Sequence, residues 1–428
     1  MTTRFPLKQV LLLGLLIVLV GCSPSSSGNS PVAQPTQALT LGNAANVAAT
    51  ATPAVPYQVK PYDPANDPYF PLKRLVAFKV LDAPGVQEYH TSVRQGEPFQ
   101  VQNTWCAASQ NVLNSNLQAM QFVTTVDGQP LSPEQVSSVT YGVSGKYWCR
   151  TDTATVTFWT PGAHTVTIEQ NIQQKINDGW GDYAPGAYVQ KVHFDVAPGE
   201  TPQQRADRLM ACFQTIASQP YAAPFLTALP GGIETLTLDQ VVVCDTFDQD
   251  LNAWIGPSAK GVLQLSGGAL HWTEQTQKQV IYRLPPIMRE QTDFAASVEV
   301  TPEQGDPQDA CYGLWYRVKL RTTPEGIEQS GYYFTICGDA FAVYALLPKA
   351  KSWHFLVGWT PSNAIKVGQT NQLGVVVQGT NFAFYINGQQ VYTASDHFID
   401  RGLVALGISP DKSAAYRFDN LLVISLQK

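Results

Sequence analysis

From residue 57 onward, apolar and polar residues alternate in short runs separated by turn signals, a pattern that commits the chain to strands. Successive side chains of a strand point to opposite faces, so Ala-Thr-Val-Thr-Phe at 154–158 offers one face to a core and the other to water. The runs at 75–80, 119–126, 154–160 and 164–170 each fit a half-buried strand. Asp127-Gly128-Gln129-Pro130 and Pro161-Gly162 supply turns between them. With 428 residues and 44% hydrophobic content, the chain can bury two or more cores.

The start of the chain reads differently. Arg4 and Lys8 stand among the first eight residues with no acid, and an apolar run follows at 10–20. That run is shorter than the roughly 20 apolar residues a bilayer span needs, and the order reads as an export signal. Its end, Leu19-Val20-Gly21-Cys22, resembles the lipobox of bacterial lipoproteins. The resemblance implies a signal peptide over 1–21 and lipidation of Cys22, which anchors the protein to a membrane through acyl chains worth about 0.8 kcal/mol per buried CH₂. Residues 22–56, mainly Ser, Ala, Thr, Pro, Asn and Gln, cannot bury enough apolar surface to fold and read as a disordered tether. The expected location is the cell envelope, extracytoplasmic and lipid-anchored.

Six further cysteines remain, an even number in an oxidising compartment. Of the 15 pairings that six cysteines allow, position favours Cys106–Cys149, Cys212–Cys244 and Cys311–Cys337, each closing a local loop worth about 2–4 kcal/mol. Zinc is the competing reading, but no C-x-x-C or H-x-x-x-H spacing occurs among these residues.

Within residues 57–200, Thr160-Pro-Gly-Ala-His-Thr-Val-Thr-Ile168 resembles a strand pair of bacterial immunoglobulin-like domains. Trp105 beside Cys106 and Trp148 beside Cys149 suggest an inter-sheet bridge packed on an indole. A helix and linker occupy 201–240. Thr201 with Gln204 makes a capping box, Pro202 suits the first helical position, and Leu209, Met210, Phe213, Ile216 and Ala217 share a face.

From 241 to 428 a set of short motifs occurs in order. Cys244-Asp-Thr-Phe-Asp248 with Trp254 comes first, then Tyr312-Gly-Leu-Trp-Tyr-Arg317 and Gly331-Tyr-Tyr-Phe334. Asn371-Gln-Leu373, Phe384-Tyr-Ile-Asn-Gly388 and Phe418-Asp-Asn-Leu-Leu-Val423 follow. The set resembles the concanavalin A-like lectin/glucanase superfamily, in the variety seen in laminin-G-like domains. The expected fold class is therefore all-β: an immunoglobulin-like sandwich followed by a concanavalin A-like β-sandwich, with a short connecting helix. Such a fold hosts many functions and fixes none.

Alternation assigns faces in the second sandwich. Residues 314, 316, 318 and 320 should face the core, as should Phe294, Ala296, Val298, Val300, Phe382, Phe384 and Ile386. If these strands share a sheet, Glu299, Trp315, Arg317, Tyr333 and Tyr385 gather on its other face. Such a set suits a sugar, whose apolar ring face stacks while its hydroxyls pair, and it also suits packing against the helix, another domain or a loop. Glu299 with Arg317 also reads as a cross-strand ion pair. If Cys311 pairs with Cys337, Trp315 lies directly opposite Tyr333.

Glycosidases of the resembled superfamily place carboxylates in an E-x-D-x-x-E pattern on one strand. The nearest approach here is Glu299-Val-Thr-Pro-Glu303-Gln-Gly-Asp306, where Pro302 and Gly305 should break the strand. Asp245, Asp248 and Asp419 flank the expected first and last strands and suit a structural calcium ion, although Asp caps strand-end turns as readily. No other cofactor is implied, and a net charge of -6 with 14% charged residues offers no basic surface to nucleic acid. The function expected is binding, with a glycan as ligand. The alternatives are a structural or adhesion lipoprotein docking a surface protein, and a glycoside-processing enzyme.

Overall fold

The computed structural model describes residues 56–63, 67, 70–143, 147–229, 231–232, 235–250, 254–257, 261–275, 280–285, 288–323, 326–347, 353–410 and 412–427. The signal peptide, Cys22 and almost all of the tether lie outside them. Among the described residues no helix is long and apolar enough to cross a membrane.

The first half contains β1 (Tyr57–Pro61), β2 (Gly85–Arg94), β3 (Pro98–Ala107), α1 (Gln110–Gln118), β4 (Met120–Val126), β5 (Gln129–Pro130) and β6 (Ser137–Val143). It continues through β7 (Tyr147–Phe158), β8 (Gly162–Ile172), β9 (Ile176–Asn177), β10 (Asp182–Tyr183) and β11 (Gly186–Ala197). β7 pairs with β1, β3 and β6 in one sheet, and a second sheet runs β2-β11-β8-β4-β5, with β2 parallel to β11. Phe99, Val101, Val156 and Phe158 from the first sheet meet Val166, Ile168, Val192 and Phe194 from the second. Two expectations fail here. Residues 75–80 form no ladder, and Val80 is left 80% exposed. Cys106 and Cys149 lie opposite one another on β3 and β7, so their disulfide joins neighbours within one sheet and does not cross between sheets.

Helix α2 (Pro202–Ala217) starts where its capping box predicts, with Thr201 accepting from Gln204 N–H at 3.2 Å. A short α3 (Ala222–Thr227) follows. Leu209, Phe213, Ile216, Phe225 and Leu226 bury themselves against Val241, Ala295, Val376, Leu422 and Ile424 of the sheet below, and Cys212–Cys244 staples α2 to its first strand.

The second half runs β12 (Val241–Asp245), β13 (Gly256–Pro257), β14 (Gly261–Ser266), β15 (Ala269–Glu274), β16 (Ile281–Arg283), β17 (Phe294–Gln304) and β18 (Ala310–Thr323). After these come β19 (Gly326–Cys337), β20 (Ala340–Leu346), β21 (Trp353–Pro361), β22 (Asn371–Gln378) and β23 (Asn381–Ile386). β24 (Gln389–Ser395), β25 (Leu403–Pro410) and β26 (Ala414–Ser425) complete it. Nine strands form one sheet, ordered β13-β14-β15-β26-β17-β22-β23-β24 with β12 on β26, and six form the other, β16-β25-β18-β19-β20-β21. Their inner faces share one core, in which Phe294, Val298, Phe382 and Phe384 meet Leu314, Tyr316, Phe334 and Leu406. The molecule is all-β, two sandwiches joined by a short helical segment, and all three expected disulfides are formed. The halves touch where Arg74 Nη1 donates to the Leu284 carbonyl at 2.9 Å and where β6 runs beside β18 and β19.

Candidate functional site

The outer face of the six-stranded sheet carries a row of aromatic rings set by register. Trp315 pairs with Tyr333, Tyr333 with Tyr344, and Tyr344 with Phe355, so the four side chains share a face across β18, β19, β20 and β21. Trp315 and Tyr333 stack at 5.1 Å, Tyr344 meets Tyr333 edge-on at 5.5 Å, and Phe355 follows at 5.3 Å. Trp353 touches both Trp315, at 5.5 Å, and Tyr344, at 4.8 Å. Each such ring pair adds about 0.5–1.5 kcal/mol beyond the area it buries. The row leans over β25 because position 407 is glycine. A Cβ there would lie 2.5 Å from the Trp315 ring and 2.7 Å from Tyr333.

Exposure rises along the row. Trp315 is 1% exposed and Tyr333 is fully buried, Tyr344 is 8% exposed, and Phe355 on edge strand β21 is 44% exposed. Trp353 is half-buried, and Trp359 further along β21 is exposed. The result is a buried aromatic floor that props up rings open to solvent at one edge, where a flat apolar ligand face can stack.

The five residues expected to form one binding face divide between two sheets. Trp315 and Tyr333 do lie opposite one another, as the disulfide register requires, but a ligand cannot reach rings so deeply buried. Arg317 is buried at a bulge in β18, with φ of 50°. Its guanidinium donates to the carbonyls of Ile399 at 2.7 Å, Thr292 at 2.8 Å and Gly379 at 2.6 Å, tying three loops together. Glu299 sits on β17 in the other sheet, so its expected pairing with Arg317 does not form. It accepts from Asn420 Nδ2 and lies opposite Asp419, and burial followed by the Asp419 charge pushes its carboxyl above the usual range. Tyr385 faces outward from the nine-stranded sheet against Phe225 of α3. Alternation placed Glu299, Trp315, Tyr333 and Tyr385 on the correct side of their own strands, but the bulge at Arg317 turns that side chain inward, 5.3 Å over the core ring of Phe382, and the sheet each strand joins undid the rest of the grouping.

The three aspartates expected for calcium are engaged within the protein. Asp245 accepts from Phe247 N–H and Trp254 Nε1, both at 2.8 Å, capping a turn in which Phe247 has φ of 54°. Asp248 accepts from the Thr246 hydroxyl, and Asp419 from Arg417 and the Asn420 N–H. Among the described residues no three His, Cys, Asp or Glu side chains gather in a metal-binding arrangement. The expected strand break at Pro302 does not occur. β17 runs through it to Gln304 by means of a bulge against β26, a position that tolerates proline. Glu303 beyond it bonds His271 Nδ1 at 2.9 Å.

Sequence reasoning missed Tyr344, Trp353 and Phe355. The signal was present in the alternating run 340–346 and the aromatic run Trp-His-Phe-Leu-Val-Gly-Trp at 353–359. An edge strand with bulges keeps no clean period, and β21 has register shifts against β20.

No protein-family description and no curated protein matches this chain. Among solved structures, the chain is similar to a carbohydrate-binding module, CBM66 from Bacillus subtilis, at 16% identity and a TM-score of 0.31, over 39% of this chain and 92% of that one. It is also similar to the catalytic domain of an endo-1,3-beta-glucanase (laminarinase) from Thermotoga petrophila, at 10% identity and a TM-score of 0.28, over 40% and 82%. A beta-glucanase from Bacillus licheniformis is a third, at 8% and 0.28, over 39% and 82%. Identities and scores at this level say nothing about the ligand or the activity of this chain.

Proposed function

We propose that this protein is a binding lipoprotein, anchored through Cys22 outside the cytoplasm, whose second sandwich holds a glycan against Trp353 and Phe355. The observation that carries the reading is the aromatic row, which rises from full burial at Tyr333 to an open ring at Phe355. A sugar has an apolar ring face that stacks on such a surface. The buried rings hold Trp353 and Phe355 in place before binding, so little side-chain entropy is lost on contact. Three disulfides suit an oxidising compartment, which agrees with export. On this reading the first half is an immunoglobulin-like spacer between the tether and the laminin-G-like binding module.

A second reading has a specific observation behind it. Phe398, 49% exposed, packs edge-on to His354 at 5.4 Å, on the face of β21 opposite Phe355, so this edge of the sheet carries exposed aromatics on both sides. Exposed aromatics along one sheet edge also suit a protein partner that wraps it. A glycan array probed with the full chain in detergent separates the two. Retention of a sugar family, lost in Phe355→Ala, supports the first reading, whereas a blank array points to a protein ligand.

A further inference from the structure

The nine-stranded sheet has its own exposed feature, on the face opposite the aromatic row. α2 and α3 cover the outer side of β12, β26, β17 and part of β22, and this helical layer stops at Ala228. Beyond it lies a groove of about 440 Å³ over β22, β23 and β24. Ligand pockets in proteins run from about 300 to 1,000 Å³.

Register builds the groove from three cross-strand rows. The row next to the hairpin turn is Gln378, Asn381 and Ser395. The middle row is Val376, Ala383 and Thr393. The third is Gly374, Tyr385 and Gln390, where Phe225 of α3 drops onto Gly374, because a Cβ there would lie 2.8 Å from its ring. α3 can approach this closely only over a glycine. The small side chain of Ala383 then leaves a step between the end of the helix and the far strand. Tyr385 forms one end of the floor, fixed edge-on by Phe225 at 5.6 Å and by donation from its hydroxyl to Gln390 Oε1 at 3.1 Å.

The chemistry of the lining is consistent. The floor is apolar, with Val376 and Tyr385 each 6% exposed. The rim is exposed and polar, and among the described residues its polar side chains are amides and hydroxyls. Among the described residues no charged side chain lines the groove. Among the described residues the amides of Gln378 and Asn381 make no hydrogen bond within the protein, so each offers a donor and an acceptor to a ligand. Phosphates, carboxylates and ammonium groups find no counter-charge here. A neutral ring with an apolar face and several hydroxyls finds both of its needs met.

We infer that this groove is a second ligand site, on the opposite face from the first, and that it takes one uncharged sugar unit. The inference does not depend on the aromatic row. Two sites on opposite faces would let one tethered molecule bridge two glycan strands, with avidity set by the spacing of the strands.

The test is saturation-transfer NMR on the full chain in detergent with glucose, galactose, mannose and N-acetylglucosamine, and with glucuronate and glucose 6-phosphate as charged comparisons. At least one neutral sugar should give signal that survives Phe355→Ala, while the charged sugars give none. Ala383→Leu, which fills the groove from its floor, should weaken that sugar at least tenfold. The double variant Gln378→Ala/Asn381→Ala should do the same without touching the floor, and it decides the matter if Ala383→Leu unfolds by circular dichroism. Absence of signal from all four neutral sugars overturns the inference, as does undiminished binding in the folded variants. Loss of all signal in Phe355→Ala assigns the sugar to the aromatic row and overturns it as well.

Discussion

Trp315 and Phe355 stand in one cross-strand row, yet substitution should affect them in opposite ways. Trp315 is buried against Tyr282, Tyr333 and Trp353, so Trp315→Ala should lose about 3–5 kcal/mol and lower the melting temperature measured by calorimetry. Phe355→Ala removes a ring already 44% open to water and should cost well under half of that, while glycan binding weakens about tenfold. Glu299 makes a different prediction. Burial and Asp419 raise its carboxyl above the unfolded value of about 4.3. The folded state therefore binds the proton more tightly, and this contribution is complete below that value and lost as pH rises through the folded one. Glu299→Gln should then be more stable than the parent at pH 7, with the gap closing below about pH 4 in thermal melts. A parent more stable than the variant at pH 7 would show that the carboxylate is a net stabiliser.

At the scale of elements, α2 is held by two devices, its capping box and the Cys212–Cys244 bridge to β12. Replacing both cysteines with serine should cost about 2–4 kcal/mol and make the segment around α2 the first site cut in limited proteolysis. Cleavage first in the β18–β19 hairpin would contradict that placement. The helix was legible in the sequence because Thr201, Pro202 and Gln204 are local signals. α1 was not, since Gln-Asn-Val-Leu-Asn-Ser-Asn-Leu-Gln is poor in strong helix formers, and its start rests on Ser109 accepting from Val112 N–H at 3.3 Å. Residues 75–80 show the reverse error, a strand pattern that finds no partner. Inward and outward faces in β17, β23 and the first half of β18 were legible from period two, whereas the bulge that turns Arg317 inward was not. Which sheet each strand joins was not, because β17 pairs with β22 and β26, partners distant along the chain. That gap split Glu299 and Tyr385 from Trp315 and Tyr333.

At the scale of the molecule, the proposed arrangement is a lipid on Cys22, a tether, a first sandwich and a second that presents rings at its edge. Cys22→Ala should abolish incorporation of labelled palmitate and release the protein from the membrane fraction, and labelling that persists would place the lipid elsewhere. The central claim is that the open end of the aromatic row binds sugar. Titration calorimetry of the full chain in detergent, against the glycan that an array retains best, tests it most directly when run beside Phe355→Ala and Trp315→Ala. The account predicts weaker binding by about tenfold for Phe355→Ala with its melting temperature nearly unchanged, and a lowered melting temperature for Trp315→Ala. Equal affinity in the parent and in a folded Phe355→Ala protein would contradict it.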